Sequence, residues 1–163
     1  FLPPDINGEA AAFMMMNSNK KGIAFNLKDK DGVEIFKEMV KNSDVVLENF
    51  RKGTLEKLGI GYDVMSKINP KIILCEISGY GRTGPYADKG GFDLVAQGMS
   101  GLMSITGESK DKPPMKVGAP ITDITAGLLA SSGILAALVH REKTGEGQKV
   151  DTSLFEAGIV HTY

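Results

Sequence analysis

Short apolar runs that alternate with helical stretches constrain the fold of this chain more than any other feature of its sequence. Residues 22–27, 44–48 and 71–77 are nearly continuous in apolar or β-branched side chains, as strands are when a sheet buries both faces. Residues 31–41 carry apolar side chains at helical spacing, and shorter helices are predicted over 55–58 and 62–68. Residues 1–19 are predicted to be irregular. We therefore predict an α/β fold in which a parallel, Rossmann-like sheet is followed by helices.

A glycine-rich segment follows the third predicted strand. The sequence from Gly79 to Gly84 satisfies the G-x-G-x-x-G pattern of dinucleotide-binding folds. That pattern requires a helix to begin at the last glycine, because the helix N-terminus holds the pyrophosphate. Residues 85–91 instead contain a proline and two further glycines. The sequence therefore predicts a loop that lets a ligand approach the backbone, and not a nicotinamide dinucleotide site.

Charge and cysteine content exclude several classes of protein. The net charge is −1, so the basic excess that nucleic acid or anionic membranes require is missing, and we predict neither partner. One cysteine and two histidines provide no disulfide framework and no Cys/His metal cluster. The single thiol, Cys75, lies in a predicted strand, where we expect a small buried residue, and this cysteine usage fits the cytoplasm. The apolar stretch 124–139 is predicted to be too short to span a bilayer.

Asp123 is the most informative single residue. It follows a short segment that contains Pro120, and it precedes a long run of apolar and small residues that is typical of a helix. Thr122 or Asp123 is predicted to be the N-cap, since short oxygen-bearing side chains accept hydrogen bonds from free helical N–H groups. A purely structural cap and a functional carboxylate both fit this position.

Several segments, taken together in order and spacing, resemble the class III CoA-transferase family, which includes formyl-CoA and carnitine CoA-transferases and the related alpha-methylacyl-CoA racemases. The resemblance covers nearly everything from Asn17 to the end. The matching segments are residues 17–21, 25–28, 48–53, 58–59, 69–71, 77–81, 91–93, 97, 101–102, 136–138, 144–145 and 147–153.

The resemblance implies a catalytic role for Asp123, which matches the family's aspartate ahead of a small-residue helix. In the family's mechanism this carboxylate attacks an acyl-CoA thioester and forms an aspartyl-acyl anhydride. CoA is then carried as an aspartyl thioester before it passes to a carboxylic acid acceptor. Acyl-CoA and a small carboxylic acid would be the substrates, with no tightly bound cofactor and no metal.

The resemblance also implies a CoA-binding site in a nucleotide-binding domain. Two segments would flank the nucleotide at the carboxyl ends of the first two strands, a basic position would lie near the phosphates, and a later loop would line the pantetheine end. These residues are Phe25, Asn26, Leu27 and Lys28, then Asn49, Phe50 and Arg51, then Lys57, and finally Lys89, Gly90, Gly91 and Phe92. Exposed loop positions that serve no ligand are the alternative for the basic residues.

The family's members are two to three times longer than this chain. We therefore expect residues 1–163 to be part of the large, CoA-binding domain, with the family's N-terminal strand and C-terminal small domain absent. The family forms interlocked homodimers, and the same assembly is expected of the longer protein.

Phe92 separates two of the remaining hypotheses. The racemase branch has a histidine at this position that exchanges a proton with the substrate, and phenylalanine cannot do so. The sequence therefore favours CoA transfer over racemisation. A third hypothesis, a non-catalytic module that binds CoA or another nucleotide, stays open. Asp93, next in the chain, is either a residue that supports the site or the cap of its own helix.

Overall fold

A computed structural model describes residues 4–163 of the chain. Its strands are β1 (Asp5–Ile6), β2 (Glu9–Ala10), β3 (Val45–Glu48), β4 (Ile73–Ser78) and β5 (Lys149–Ser153). Its helices are α1 (Ala11–Met16), α2 (Lys30–Lys41), α3 (Thr54–Lys57), α4 (Tyr62–Ile68), α5 (Asp93–Met99), α6 (Leu102–Thr106), α7 (Ile121–Thr144) and α8 (Leu154–Ile159).

The centre of the fold is a parallel sheet in the order β3-β4-β5. β4, the middle strand, is buried over nearly its whole length, as its continuous apolar sequence predicts. The crossover from β3 to β4 runs through α3 and α4, and the crossover from β4 to β5 runs through α5, α6 and α7. The predicted α/β class with a parallel sheet is confirmed.

Each face of the sheet carries its own apolar cluster. On one face, Ile72 and Leu74 pack with residues of α2, α3 and α4 such as Val40 and Met65. On the other face, Ile77 packs with small residues of α5, α7 and α8. Leu74 and Ile77 of β4 contact opposite clusters because side chains alternate between the two faces along a strand.

α7 lies against the sheet through small side chains. Ala126, Ala130 and Ala137 are buried, and a Cβ added at Gly133 would lie only 2.6 Å from a methyl carbon of Val150 on β5. This face lets the helix axis approach the sheet closely.

By length and composition α7 could cross a membrane, with a mean hydropathy of 1.6, contrary to the expectation that the stretch is too short. This is weak evidence for a membrane span, because long core helices pass the same test.

Two sequence expectations are wrong. Residues 22–27 form no strand, because no other segment within residues 4–163 pairs with them, and Ile23 is 64% exposed. Residues 4–19 are more regular than expected, with an antiparallel pair β1-β2 followed by α1, so the methionines of α1 are helical and not in a loop. The first three residues of the stretch predicted to be irregular lie outside the described residues.

Candidate active site

A cavity of about 240 Å³ opens at the carboxyl ends of β3 and β4, where parallel α/β sheets place ligands. Two segments that are far apart in sequence meet around it, because one directly follows β3 and the other precedes α5. The cavity is lined by Asn49, Phe50, Arg51 and Lys52, by Ser78, Gly79 and Ala87, and by Lys89, Gly90, Gly91 and Phe92. The structure thus brings together the predicted residues 49–51 and 89–92.

Two glycines bring the second segment to the end of β4. A Cβ added at Gly79 would lie 2.6 Å from the Cα of Gly91, and one added at Gly91 would meet the Cα of Gly79 in the same way. Neither position has room for a side chain. Within residues 79–92 no helix forms, which confirms that this glycine-rich segment is a loop and not the opening of a dinucleotide-binding helix.

Positive side chains surround the cavity. The Arg51 guanidinium lies beside Gly90, where an added Cβ would be 3.5 Å from its Nη2 atom. The Lys89 ammonium lies over the ring of Tyr86, 4.6 Å from its centroid. Lys52 has only a distant acidic neighbour, with its Nζ 4.0 Å from an oxygen of the exposed Asp88. Such cations are suited to phosphate oxygens.

The remaining predicted CoA-binding residues lie elsewhere. Leu27, Lys28 and Lys57 line a separate cavity of about 590 Å³ beside α2. Asn26 shapes the turn into that helix, since its side-chain oxygen accepts the N–H of Lys28 at 3.0 Å. Phe25 is half-buried and lines neither cavity. Because residues 22–27 form no strand, this segment does not lie at the carboxyl end of one, as the sequence had led us to expect.

The N-terminus of α7 is capped by a residue from another helix. α7 begins at Ile121, so Asp123 is its third residue, and the prediction that Thr122 or Asp123 is the N-cap is wrong. Pro120 occupies the cap position, and it has no side-chain oxygen. Instead, Asp93 of α5 accepts hydrogen bonds from the backbone N–H of Thr122 at 2.9 Å and from its hydroxyl at 2.7 Å. Asp93 therefore caps α7 and not its own helix.

Gln97 extends this support to the segment that leads into α7. The side chain is fully buried, and its Oε1 accepts the N–H of Val117 at 2.8 Å. Its Nε2 donates to Asp93 at 2.7 Å and more weakly to the carbonyl of Ala119 at 3.4 Å. One turn of α5 thus holds both the approach to α7 and its first residues.

Asp93 and Asp123 are neighbouring carboxyl groups in opposite environments. Burial alone would raise the pKa of Asp93, but hydrogen bonds from Thr122, Gln97 and the backbone N–H of Asp123 outweigh it and lower that pKa. The pKa of Asp123 is raised, first by partial removal from water and then by the negative charge of Asp93. Within residues 4–163 no group donates a hydrogen bond to the Asp123 carboxylate, and the residue is open to solvent.

This geometry connects Asp123 to the cavity. Phe92 lines the cavity, Asp93 follows it in the chain, and the Asp93 carboxylate holds the residue next to Asp123. The result is an accessible carboxylate at the amino end of a long helix, near a cavity that carries positive charge. A free carboxylate in this setting can act as a nucleophile or a base.

Sequence reasoning missed a charged cluster beneath the cavity. Glu48, Glu76 and Asp151 occupy matching register positions on β3, β4 and β5, and Arg82 of the glycine-rich loop pairs with the two glutamates. Burial raises the pKa of both Glu48 and Asp151, an effect that the Arg82 charge only partly offsets. An acidic residue in each of the three strands was the signal that could have revealed the cluster. Among residues 4–163 no group of His, Cys, Asp or Glu could hold a metal ion.

A parallel α/β sheet with a cation-lined cavity at the carboxyl ends of its strands is typical of nucleotide-binding domains, and sequence comparison narrows this class. The model of CoA-transferase family III matches residues 1–162. The chain belongs to this family.

The names of similar proteins agree with this family assignment. An acyl-CoA transferase of Fusarium pseudograminearum is 46% identical over 147 residues, which are 90% of this chain and 32% of the relative. Succinyl-CoA:glutarate CoA-transferase of Mus musculus is 44% identical and matches 97% of the chain and 36% of its own length. The beta subunit of succinyl-CoA–L-malate CoA-transferase from Chloroflexus aurantiacus is 41% identical over 96% of the chain and 39% of its own length. The chain thus spans about a third to two fifths of these relatives.

Solved structures share the fold. A CAIB/BAIF family protein from Brucella suis superposes with a TM-score of 0.92 at 41% identity, over 98% of this chain and 43% of that one. Rv3272 from Mycobacterium tuberculosis superposes with a TM-score of 0.82 at 30% identity, over 88% of this chain and 40% of that one.

Proposed function

We propose that the protein containing this chain is a CoA-transferase that moves CoA from an acyl-CoA donor to a carboxylic acid, with Asp123 as the nucleophile. The observation that carries the proposal is the contrast between two adjacent carboxyl groups. Asp93 is held by hydrogen bonds and has a lowered pKa, while Asp123 is exposed, has no hydrogen-bond donor among residues 4–163 and has a raised pKa. Neighbouring carboxyl groups with opposite pKa shifts are typical of sites where each has a different role.

The first step transfers the acyl group to the protein. An Asp123 oxygen attacks the thioester carbonyl, the carbon–sulfur bond breaks, and CoA leaves as the thiolate while an aspartyl-acyl anhydride forms. The α7 N-terminus favours negative charge on this carboxylate. A carboxylate with a raised pKa is also a stronger nucleophile once ionised.

Three further exchanges complete the transfer. The CoA thiolate attacks the Asp123 carbonyl of the anhydride, which releases the donor acid and leaves an aspartyl-CoA thioester. The acceptor carboxylate then attacks this thioester and forms a new anhydride, and the returning thiolate attacks the acceptor's carbonyl. The products are the acceptor's CoA ester and free Asp123, so no water is consumed and no cofactor is required.

The positive charge at the cavity supports binding of the CoA phosphates there. We propose that Asn49, Phe50, Arg51 and the loop 89–92 bind CoA, with Lys52 contributing charge, and that Leu27, Lys28 and Lys57 contact a more distant part of the same molecule. Phe92 supports transfer over racemisation, since it is 74% exposed beside Asp93 and cannot exchange a proton. The homodimeric state and the cytoplasmic location stay predictions.

The test uses the full-length protein with a panel of acyl-CoA donors and free acids. Succinyl-CoA is the first donor to assay, because the names of the mouse and Chloroflexus relatives specify it. Hydroxylamine added during turnover is expected to convert Asp123 to a hydroxamate, which peptide mass spectrometry detects. Asp123→Asn is expected to abolish CoA exchange and hydroxamate formation while retaining CoA binding.

Asp31→Asn is the matched control, because Asp31 is likewise an exposed acid in the first turn of a helix. It is expected to leave exchange and trapping unchanged. Exchange of the substrate's α-hydrogen with solvent, without trapping, would instead indicate racemisation. CoA binding with neither reaction would indicate a non-catalytic module.

A further inference from the structure

A row of three acids crosses the sheet on one face. Glu48 is the register partner of Glu76, and Glu76 is the register partner of Asp151. Partners in a parallel sheet project to the same side, so the three carboxyl groups lie next to one another. The row begins at Glu48, the last residue of β3, next to the loop that follows this strand, and continues through the interior of β4 and β5.

Arg82 is the cation that enters this row from the glycine-rich loop. Its Nη2 pairs with Glu48 and lies 3.3 Å from Glu76. The side chains are almost completely enclosed, with exposed fractions of 12% for Arg82, 4% for Glu48 and 7% for Glu76. Buried ion pairs contribute little net stability, because removal of the charges from water offsets their attraction. Stability alone therefore gives no reason for this cluster.

The cluster instead holds the backbone of the loop that lines the cavity. The free oxygen of Glu48 accepts the N–H of Phe50, and Arg82 Nη1 donates to the Phe50 carbonyl at 3.4 Å. Both backbone polar groups of Phe50 are thus bound by the pair. Asn49 adds a third anchor, since its Nδ2 donates to the carbonyl of Ile77 at 2.6 Å.

We propose that Arg82 is a positioning residue for CoA binding, acting through the backbone of residues 49–51. The bonds at Phe50 set the direction in which the next residue leaves the sheet, and that residue, Arg51, lies beside Gly90 at the cavity. Without Arg82 the loop loses one of its bonds and Glu48 loses its cation, while Glu76 keeps Lys149, whose Nζ lies 2.8 Å from its second oxygen. The phosphate-binding arrangement is then no longer preorganised, so binding has to supply the energy that orders it. This inference depends on the proposed function.

Arg141 provides a closely matched control. Its side chain is 13% exposed, its Nη2 lies 2.9 Å from Asp44, and its Nη1 donates to a backbone carbonyl, that of Lys71, at 3.3 Å. Both arginines thus bind an acid through Nη2 and a backbone carbonyl through Nη1, and Arg82 has Glu76 as a second acidic partner. Arg141 lies at the opposite end of the strands and lines no part of the proposed CoA cavity.

The experiment measures Kd for CoA by calorimetry, kcat for CoA exchange and Tm in full-length wild type, Arg82→Met and Arg141→Met. Arg82→Met is expected to raise the Kd for CoA about tenfold, because one loop is no longer preorganised for binding. The same variant is expected to lower kcat much less. Arg141→Met is expected to leave Kd within about twofold of wild type, because distant sites act independently, and to lower Tm no further than Arg82→Met, because its partner Asp44 is 77% exposed.

Arg82→Lys covers the case in which Arg82→Met fails to fold. Lysine keeps the positive charge near Glu48 but has a single nitrogen, so it cannot also reach the Phe50 carbonyl in the same geometry. Its Kd is expected to rise as well. A Kd for both Arg82 variants within the range of Arg141→Met overturns the inference. A wild-type protein that neither binds CoA nor exchanges it overturns the proposed function itself.

Discussion

Asp93 Oδ1 accepts two hydrogen bonds from Thr122, one from its backbone N–H at 2.9 Å and one from its hydroxyl at 2.7 Å. The first residue of α5 thereby satisfies the free N-terminus of α7, which has only Pro120 at its cap position. This relationship fixes the helix end that carries Asp123, so the placement of the proposed nucleophile depends on a side chain 30 residues earlier in the chain.

Loss of the Asp93 carboxylate is expected to destabilise the protein. Asp93→Ala leaves two donors of Thr122 and one of Gln97 without their acceptor, which costs roughly 1–3 kcal/mol for buried hydrogen bonds of this kind. Urea unfolding of the full-length protein measures the change. Asp88→Ala is the control, because Asp88 is exposed and its nearest cation is 4.0 Å away. Equal stability of the two variants would contradict the capping role.

The charge of Asp93, apart from its geometry, is expected to set the pH dependence of exchange. Asp93→Asn keeps an oxygen that accepts the Thr122 N–H but removes the negative charge that raises the pKa of Asp123. The Asp123 pKa then falls, and its ionised, attacking form persists to lower pH. The acid limb of the rate profile should therefore move to lower pH. An unchanged or upward-shifted limb would show that Asp93 does not act on Asp123 electrostatically.

Asp123→Asn is expected to be more stable than the wild type near pH 7. The folded-state pKa of Asp123 is raised above its unfolded value, so ionisation costs stability as pH rises through that folded pKa. Asparagine does not ionise, so the variant does not lose this stability. The difference in unfolding free energy between variant and wild type should disappear as pH falls toward the pKa of Asp123 in the unfolded chain. Denaturant titrations at several pH values measure the difference. A variant that is less stable than wild type at pH 7 would contradict the raised pKa.

Gly91→Ala is expected to destabilise the loop at the cavity. The new methyl group would overlap the backbone of Gly79, and overpacking of this kind costs about 1–3 kcal/mol. Gly90→Ala is the matched variant one residue earlier, because its Cβ would make an ordinary 3.5 Å contact with Arg51. Thermal unfolding of both variants should show a clearly lowered Tm for Gly91→Ala alone. Comparable Tm values would mean that the two segments are not in close contact.

Cys75 is expected to resist thiol reagents in the folded protein. It is fully buried on β4, and burial, together with the charges of Asp151, Glu76 and Glu48, raises its pKa to about 11. The thiolate that reacts is therefore scarce as well as enclosed. Ellman's reagent should modify this thiol only in denaturant. Rapid modification under native conditions would contradict its enclosed position.

The hydrophobic pattern predicted β3, β4 and the helices between them, because a strand or helix that faces a core must carry apolar residues at a fixed period. The same pattern failed at residues 22–27. An apolar run makes a strand only where a neighbour can pair with its backbone, and no described segment does so. Strand pairing is a property of the tertiary structure, so local sequence could not exclude this strand.

The candidate site likewise combines features that the sequence indicated with features that only packing produced. The family resemblance assigned residues 49–51 and 89–92 to CoA binding, and the structure brings both segments to one cavity, which local sequence did not predict. The cap on α7 was predicted at Thr122 or Asp123, because local reasoning considers only neighbours in the chain. Its true source, Asp93, is adjacent only after α5 packs against α7.

The sequence by itself determined the parallel α/β class and the glycine-rich loop, since both depend on residue type and local spacing. Tertiary structure alone decided that Asp93 is bound while Asp123 is free, and that Arg82 reaches Glu48 and Phe50. These relationships arise from groups brought together by packing, where burial and neighbouring charge set pKa values and hydrogen bonds. No local pattern encodes such distances.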